Sequence, residues 1–303
     1  MDQDGQGVKP EAEHLAARPG LFARSGGTLS LLFVCPFLAY VAAFLVLPTG
    51  MLLVEAFAGK RGPTLSYLAQ LGAGQTLVAF RNSVVLSAFA ALVGLAIGGL
   101  AAYLVMRPGM PRGLPSLVTT FSAVAANFAG VPLAFAFIAT LGSLGMITVW
   151  LKSVGIDLYG MGFSLYSLPG LVLVYAYFQI PLMIIVITPA LEALRREWRE
   201  AAENLGASAW DYWRLVGLPI LLPALLSAYI LLFGNAFSAY ATPYALTSGI
   251  IALVPVEISN VLSGNVMLSP QTGAALALGM ILVMVVVMGL YALIARRVSR
   301  WTR

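Results

Sequence analysis

The sequence predicts an all-α protein, a polytopic bundle of six transmembrane helices, and three observations predict it. Of the 303 residues, 60% are hydrophobic and only 10% charged, whereas soluble domains carry about 25% charged residues. A globular surface of this size cannot be covered with so few polar groups, so lipid must supply part of the solvent. The apolar residues gather in six stretches, and Lys and Arg stand in short clusters between them.

Each stretch is long enough to cross a hydrocarbon core of about 30 Å at about 1.5 Å per residue. The first runs from about Leu29 to Ala56, the second from Ser83 to Met106 and the third from about Leu114 to Leu141. The fourth covers Leu168 to Leu191, the fifth Leu218 to about Ala241 and the sixth Gly273 to Ala295. Pro36, Pro48, Pro132, Pro181 and Pro223 predict kinks, which neighbouring helices tolerate in lipid. Residues 1–28 have no long apolar run and read as a flexible tail before a transmembrane domain, 29–303. The first stretch exceeds a signal-peptide core and lacks a small-residue cleavage site, so it is expected to remain as an anchor.

Orientation follows from the basic residues. With the N-terminus inside, the inner segments hold Lys9, Arg18, Arg24, Arg107, Arg112, Arg195, Arg196, Arg199, Arg214, Arg296, Arg297, Arg300 and Arg303, thirteen of seventeen. Lys60, Arg61, Arg81 and Lys152 fall outside. This bias predicts both termini in the cytoplasm. It also accounts for the net charge of +5 without a nucleic-acid partner.

One inner loop, about 192–217, is long and charged. Its first part, Glu192 to Leu205, is rich in helix formers, with Glu192 four residues before Arg196. Gly206 supplies a left-handed terminus, Ser208 and Asp211 have capping-box spacing for a second helix, and Pro219 closes the loop at the membrane boundary. Composition leaves two uses open. The loop is either a lever pressed into a cytoplasmic partner, or an amphipathic hairpin lying on lipid with Trp198, Trp210 and Trp213 as anchors.

Within that loop Glu200, Ala201 and Ala202 are followed after three residues by Gly206, after nine more by Val216, and then by Leu218 and Pro219. This pattern resembles the EAA signature of inner-membrane permeases in binding-protein-dependent ABC importers, with Val216 where Ile is commoner. The resemblance covers about Leu29 to Ala295 and implies the type I importer permease fold. It implies that Glu200, Ala201, Ala202, Gly206, Leu218 and Pro219 couple the chain to ABC ATPase subunits, which hold ATP and Mg. It further implies a second permease, usually a different but similar chain, an extracytoplasmic solute-binding protein, and a place in the bacterial inner membrane.

The residues support a division of labour. No GxxxxGK[ST] loop occurs, since Gly59 and Lys60 are followed by Arg61, so this chain is expected to bind no nucleotide or other cofactor. No nucleophile elbow, HExxH or paired-carboxylate pocket appears, His14 lies in the tail, and Cys35 reads as a buried structural thiol. The chain therefore does not read as an enzyme. The central parts of the spans carry no Asp, Glu, Lys, Arg or His, which argues against the alternative of an ion-coupled secondary carrier.

Polar groups at membrane depth are Asn127, Gln179, Asn235, Ser238 and Tyr240, read either as a weakly binding path or as interhelical hydrogen-bonding groups. The outer segment Tyr244 to Asn265, with Glu257, is either a docking surface for the binding protein or a connector. The run from Asn235 to Gly249 and the SGNV at Ser263 to Val266 resemble spermidine and putrescine permeases, so the resemblance implies a polyamine solute. Related subfamilies handle aminoethylphosphonate, ferric iron or thiamine. No anionic site for a polycation appears in the spans.

Overall fold

The computed structural model describes residues 34–59, 62–107, 109–111, 113–264 and 270–298. The 1–28 tail with His14, the start of the first predicted span, Lys60, Arg61, Arg112, the second half of SGNV, Arg300 and Arg303 lie outside the described residues. Six helical stretches are long and apolar enough to cross a membrane. The chain divides into two units, Met1–Leu52 and Leu53–Arg303.

Helix α1, Val34–Phe57, carries all of the described first unit. It exposes its surface throughout that unit, and Cys35 is exposed rather than buried. An apolar thiol on a spanning helix gains as much from lipid as from a protein core. The five-residue turn Ala42–Val46 is π-helical, with the Leu47 amide bonded back to the Ala42 carbonyl. It precedes Pro48, and the widened turn makes room for a proline ring that would otherwise strike the preceding turn.

In the second unit, two-residue strands β1 (Ala58–Gly59) and β2 (Gly62–Pro63) form a tight antiparallel hairpin before helix α2, Ser66–Gln70. Helix α3, Gly74–Val105, starts nine residues before the predicted second span and carries Arg81, exposed, on its first turns. At 32 residues it exceeds what a 30 Å core needs, so a polar residue near its start has room outside the apolar layer.

The third predicted span is broken. Helix α4, Leu114–Asn127, ends at Phe128 and α5, Val131–Leu141, begins after Gly130, whose φ is +78°. A turn at 142–145 then leads to α6, Met146–Ser153. By length alone Val131–Ser153 would suffice to cross. Packing identifies α4 with α5 as the crossing instead, because they run antiparallel along helix α7, Leu168–Glu192. Val118 packs in the cluster that holds Ile187, Phe128 and Phe137 set ring edges against Tyr177, and Phe137, Ile138 and Leu141 join the cluster of Leu165, Leu171 and Val174.

Helix α7 is the axis of the bundle, enclosed along most of its length. Its approach to α3 depends on glycine. A Cβ at Gly94 would lie 2.9 Å from Gln179 Cβ, and one at Gly98 would lie 2.6 Å from the Ile180 carbonyl oxygen. Two small residues four apart thus let the helices touch along their main chains. The stretch Gly94–Gly98 is itself a π-helical turn.

Helix α9, Ala209–Ser238, packs on α3 and α7, and α12, Pro270–Val298, packs on α9. The Tyr229 hydroxyl donates to the Ala88 carbonyl at 3.4 Å, and the hydroxyls of Ser227 and Tyr291 lie 2.5 Å apart. Short helices α10 (Ala241–Thr247) and α11 (Val254–Leu262) close the end of the bundle where α3 begins. There the Val254 amide donates to Ser83 Oγ at 2.9 Å, Asn82 Nδ2 to the Ala252 carbonyl at 3.1 Å, and the Gly130 amide to Thr242 Oγ1 at 2.8 Å.

Candidate coupling site

The charged loop lies at the other end, between α7 and α9. Glu192 is the last residue of α7 rather than the first of a loop helix, so the ion pair that its spacing from Arg196 would allow on one helix does not form. The chain turns at 193–195, and helix α8, Arg196–Asn204, follows. Its ion pair is Arg199 with Glu203, Nε to Oε1 at 2.8 Å, and that carboxylate holds the Arg199 guanidinium above its usual pKa. No residue of α8 is buried.

The end of α8 is built from the expected parts. Gly206 has φ +80°, and an added Cβ there would meet nothing within 4 Å, so the left-handed backbone and not lack of space requires glycine. The Gly206 amide donates to the Glu203 carbonyl and the Ala207 amide to the Ala202 carbonyl, each at 3.0 Å. Ser208 then caps α9: its Oγ accepts from the Asp211 amide at 3.2 Å, and Asp211 Oδ2 accepts from the Ser208 amide at 3.0 Å.

Pro219 does not close the loop. The π-helical turn Trp213–Gly217 joins the short loop helix to the fifth span, with the Leu218 amide bonded to the Trp213 carbonyl, so α9 continues through the proline. It is the device seen before Pro48. Ala209 to Ser238 make 30 residues, about 45 Å of helix, so the first turns stand clear of a 30 Å core and form one rod with the span.

Glu200 and Ala201 are exposed and Ala202 half-buried, on the same short helix. Between them and Gly206 stands Leu205, 87% exposed at the tip of the hairpin. Sequence reasoning passed over this residue, although a leucine ending a charged helix just before its glycine was a readable signal. The hairpin's base is aromatic: Trp213 sets its edge against Tyr103 of α3 at 4.9 Å, and Tyr212 is buried beside it.

The five candidate path residues separate. Gln179 is fully enclosed, its Nε2 donating to the Leu232 carbonyl at 2.7 Å, and its Oε1 has no partner. Tyr240 is half-buried, stacks on Tyr244 at 5.2 Å, and its hydroxyl accepts from Ser259 Oγ at 2.8 Å. Asn127, Asn235 and Ser238 are exposed, and the side chains of Asn127 and Ser238 bond to carbonyls of their own helices. Near α11, Glu257 Oε1 accepts from Gln75 Nε2 at 3.2 Å. Among the described residues no cluster of three or more His, Cys, Asp and Glu assembles.

A six-span bundle with a protruding polar hairpin before its last two spans is the form of a transporter's membrane subunit. The profile described as "Binding-protein-dependent transport system inner membrane component" matches residues 94–300, and the chain belongs to that family. It is 29% identical over 224 residues to the sulfate transport system permease protein CysT of Escherichia coli (strain K12), covering 73% of each chain. It is 26% identical to the probable sulfate transport system permease protein cysT of Nephroselmis olivacea, over 70% of this chain and 71% of that one. A 30% identical match to the thiamine transport system permease protein ThiP of E. coli covers 55% of this chain and 30% of that protein. A chain of a bacterial ABC transporter that imports alginate superposes with a TM-score of 0.69 at 17% identity, covering 89% of this chain and 96% of that chain, a likeness of fold.

Proposed function

We propose that this ABC importer permease is driven through the α8 hairpin by separate ATPase subunits, and that it carries a small oxyanion of the sulfate or molybdate class. One observation supports the joint above others. Glu200, Ala201 and Ala202 stand on a helix none of whose residues is fully buried in its own chain, and the exposed Leu205 and the Gly206 turn after it lead into a spanning rod. A small-residue helix of this kind can seat in a groove of another subunit, and the rod carries the resulting movement into the membrane. ATP and Mg belong to the ATPase in this reading, and both termini share its cytoplasmic side.

Asn127, Asn235 and Ser238 line the path, which the chain forms with a second permease; Gln179 and Tyr240 serve interhelical bonding. The binding protein docks over α10 and α11, where Ile250 and Leu262 are 87% and 74% exposed. The solute follows from the sulfate-transport relatives and from spans whose central parts offer no carboxylate to a polycation. The polyamine expectation finds no support among those relatives. Thiamine is the second reading, favoured by the ThiP match. Uptake of labelled sulfate, molybdate, thiamine and spermidine by cells with and without the chain decides the matter. Loss of sulfate or molybdate uptake alone is expected, and selective loss of thiamine or spermidine uptake overturns the choice of solute.

A further inference from the structure

Beside the coupling hairpin, the surface holds a feature that transport does not explain. Four arginines line one hollow of about 140 Å³: Arg107, just past the end of α3, and Arg195, Arg196 and Arg199 around the start of α8. Arg199 is engaged by Glu203. Arg107 lies over the Tyr103 ring at 5.3 Å and Arg195 over the Trp198 ring at 6.0 Å, and among the described residues no carboxylate pairs with Arg107, Arg195 or Arg196. The acidic groups nearby, Glu200 and Glu203, line an adjoining open hollow that shares Arg107, Arg196 and Arg199 with the first.

The arginine cleft adjoins an apolar groove of about 470 Å³ walled by Leu95, Leu100, Ile187, Leu218 and Leu221. Tyr103, Leu191 and Trp213 belong to both. Leu100, Leu218 and Trp210 on the groove are 58%, 49% and 73% exposed, so it opens to the surroundings of the bundle. A soluble anion would use the arginines and leave the groove empty, and an apolar peptide would use the groove and leave the arginines unpaired. A molecule with a phosphate beside a hydrocarbon chain satisfies both.

We propose that the cleft and groove together bind an anionic phospholipid, with its phosphate among Arg107, Arg195 and Arg196 and an acyl chain along Leu100, Leu191 and Trp213. Basic pockets between helix ends are suited to such headgroups, and guanidinium groups pair with phosphate in two-pronged fashion. The lipid bridges the end of α3 to the loop that carries α8. It thereby braces the hairpin against the bundle, whatever solute the protein carries and whether or not the hairpin touches an ATPase.

Quenching of tryptophan fluorescence by phospholipids brominated on the acyl chain tests this on the full chain in detergent. Brominated phosphatidylglycerol is expected to quench at lower mole fraction than brominated phosphatidylcholine, with much of the difference lost in W213F. The preference falls about fivefold for each arginine removed in R107Q and R107Q/R196Q, and R107K/R196K, which keeps both charges, retains it. Equal quenching by the two lipids, or a preference unchanged in R107Q/R196Q, overturns the proposal. Inorganic phosphate that abolishes the preference beyond the effect of sodium chloride at equal ionic strength assigns the cleft to a soluble anion and overturns it as well.

Discussion

Gln179 on α7 and Leu232 on α9 are joined by a 2.7 Å hydrogen bond from side-chain amide to main-chain carbonyl, at full burial and across 53 residues of sequence. The amide's other end, Oε1, meets no donor. Replacing Gln179 by Leu removes one interhelical bond, worth about 0.6 kcal/mol on average in membrane bundles, and removes an orphaned acceptor with it. Q179L is therefore expected to change stability by less than about 1 kcal/mol and to leave uptake intact. Q179A, which also opens a cavity, is expected to lose at least about 2 kcal/mol. Denaturant unfolding in micelles measures both, and a Q179L protein that folds normally but no longer transports would return Gln179 to the solute path.

Gly98 and Gly99 are adjacent and respond in opposite directions. A Cβ at Gly98 falls 2.6 Å from the Ile180 carbonyl oxygen and 2.7 Å from Met183 Cβ, neither of which can swing aside. At Gly99 the nearest atom is the mobile end of Met183, at 3.5 Å. G98A is expected to destabilise by about 1–3 kcal/mol through overpacking, whereas G99A is neutral or stabilising by up to about 1 kcal/mol because alanine suits a helix better. Thermal unfolding of the two variants in the same detergent checks the order.

These residues show what the chain's letters disclosed and what they withheld. Six apolar stretches and the small-residue hairpin were legible because span length, Gly206 and the Ser208–Asp211 box are local properties. The break near Gly130 was hidden because hydropathy averages across it; the left-handed Gly130 backbone marks it, while Val118, Phe128 and Phe137 keep the two halves in line along α7. Pro219 misled because a proline reads as a helix end, while a π-helical turn two residues earlier absorbs it. Gln179 and Leu232, like Arg107 and the Arg195–Arg199 group of the cleft, lie far apart in sequence and meet only once α3, α7 and α9 have packed.

The loop after α6 carries a pH dependence of known sign. The Gly160 amide donates to Asp157 Oδ1 at 2.9 Å, and Lys152 Nζ stands 3.1 Å from Oδ2. The amide first and the lysine second hold this carboxyl below its ordinary value of 3.8. A depressed carboxylate pKa adds stability that is complete above the ordinary value and is lost as pH falls through the folded one. Hydrogen exchange at the Gly160 amide is expected to be slow at pH 5–7 and to gain extra openings below about pH 4. D157N is expected to show those openings at every pH, and protection unaffected by that substitution would contradict the assignment.

The central claim is that the Gly206 hairpin transmits work from a nucleotide-driven subunit to the spans. A β-branched side chain at φ +80° strains the main chain by about 1–2 kcal/mol, while asparagine tolerates the left-handed region. ATP hydrolysis by the reconstituted complex, with and without loaded binding protein, measures transmission directly. The account predicts that G206V assembles with its ATPase and keeps basal hydrolysis but loses stimulation and uptake, and that G206N retains most of both. Full stimulation and normal uptake in G206V would contradict it.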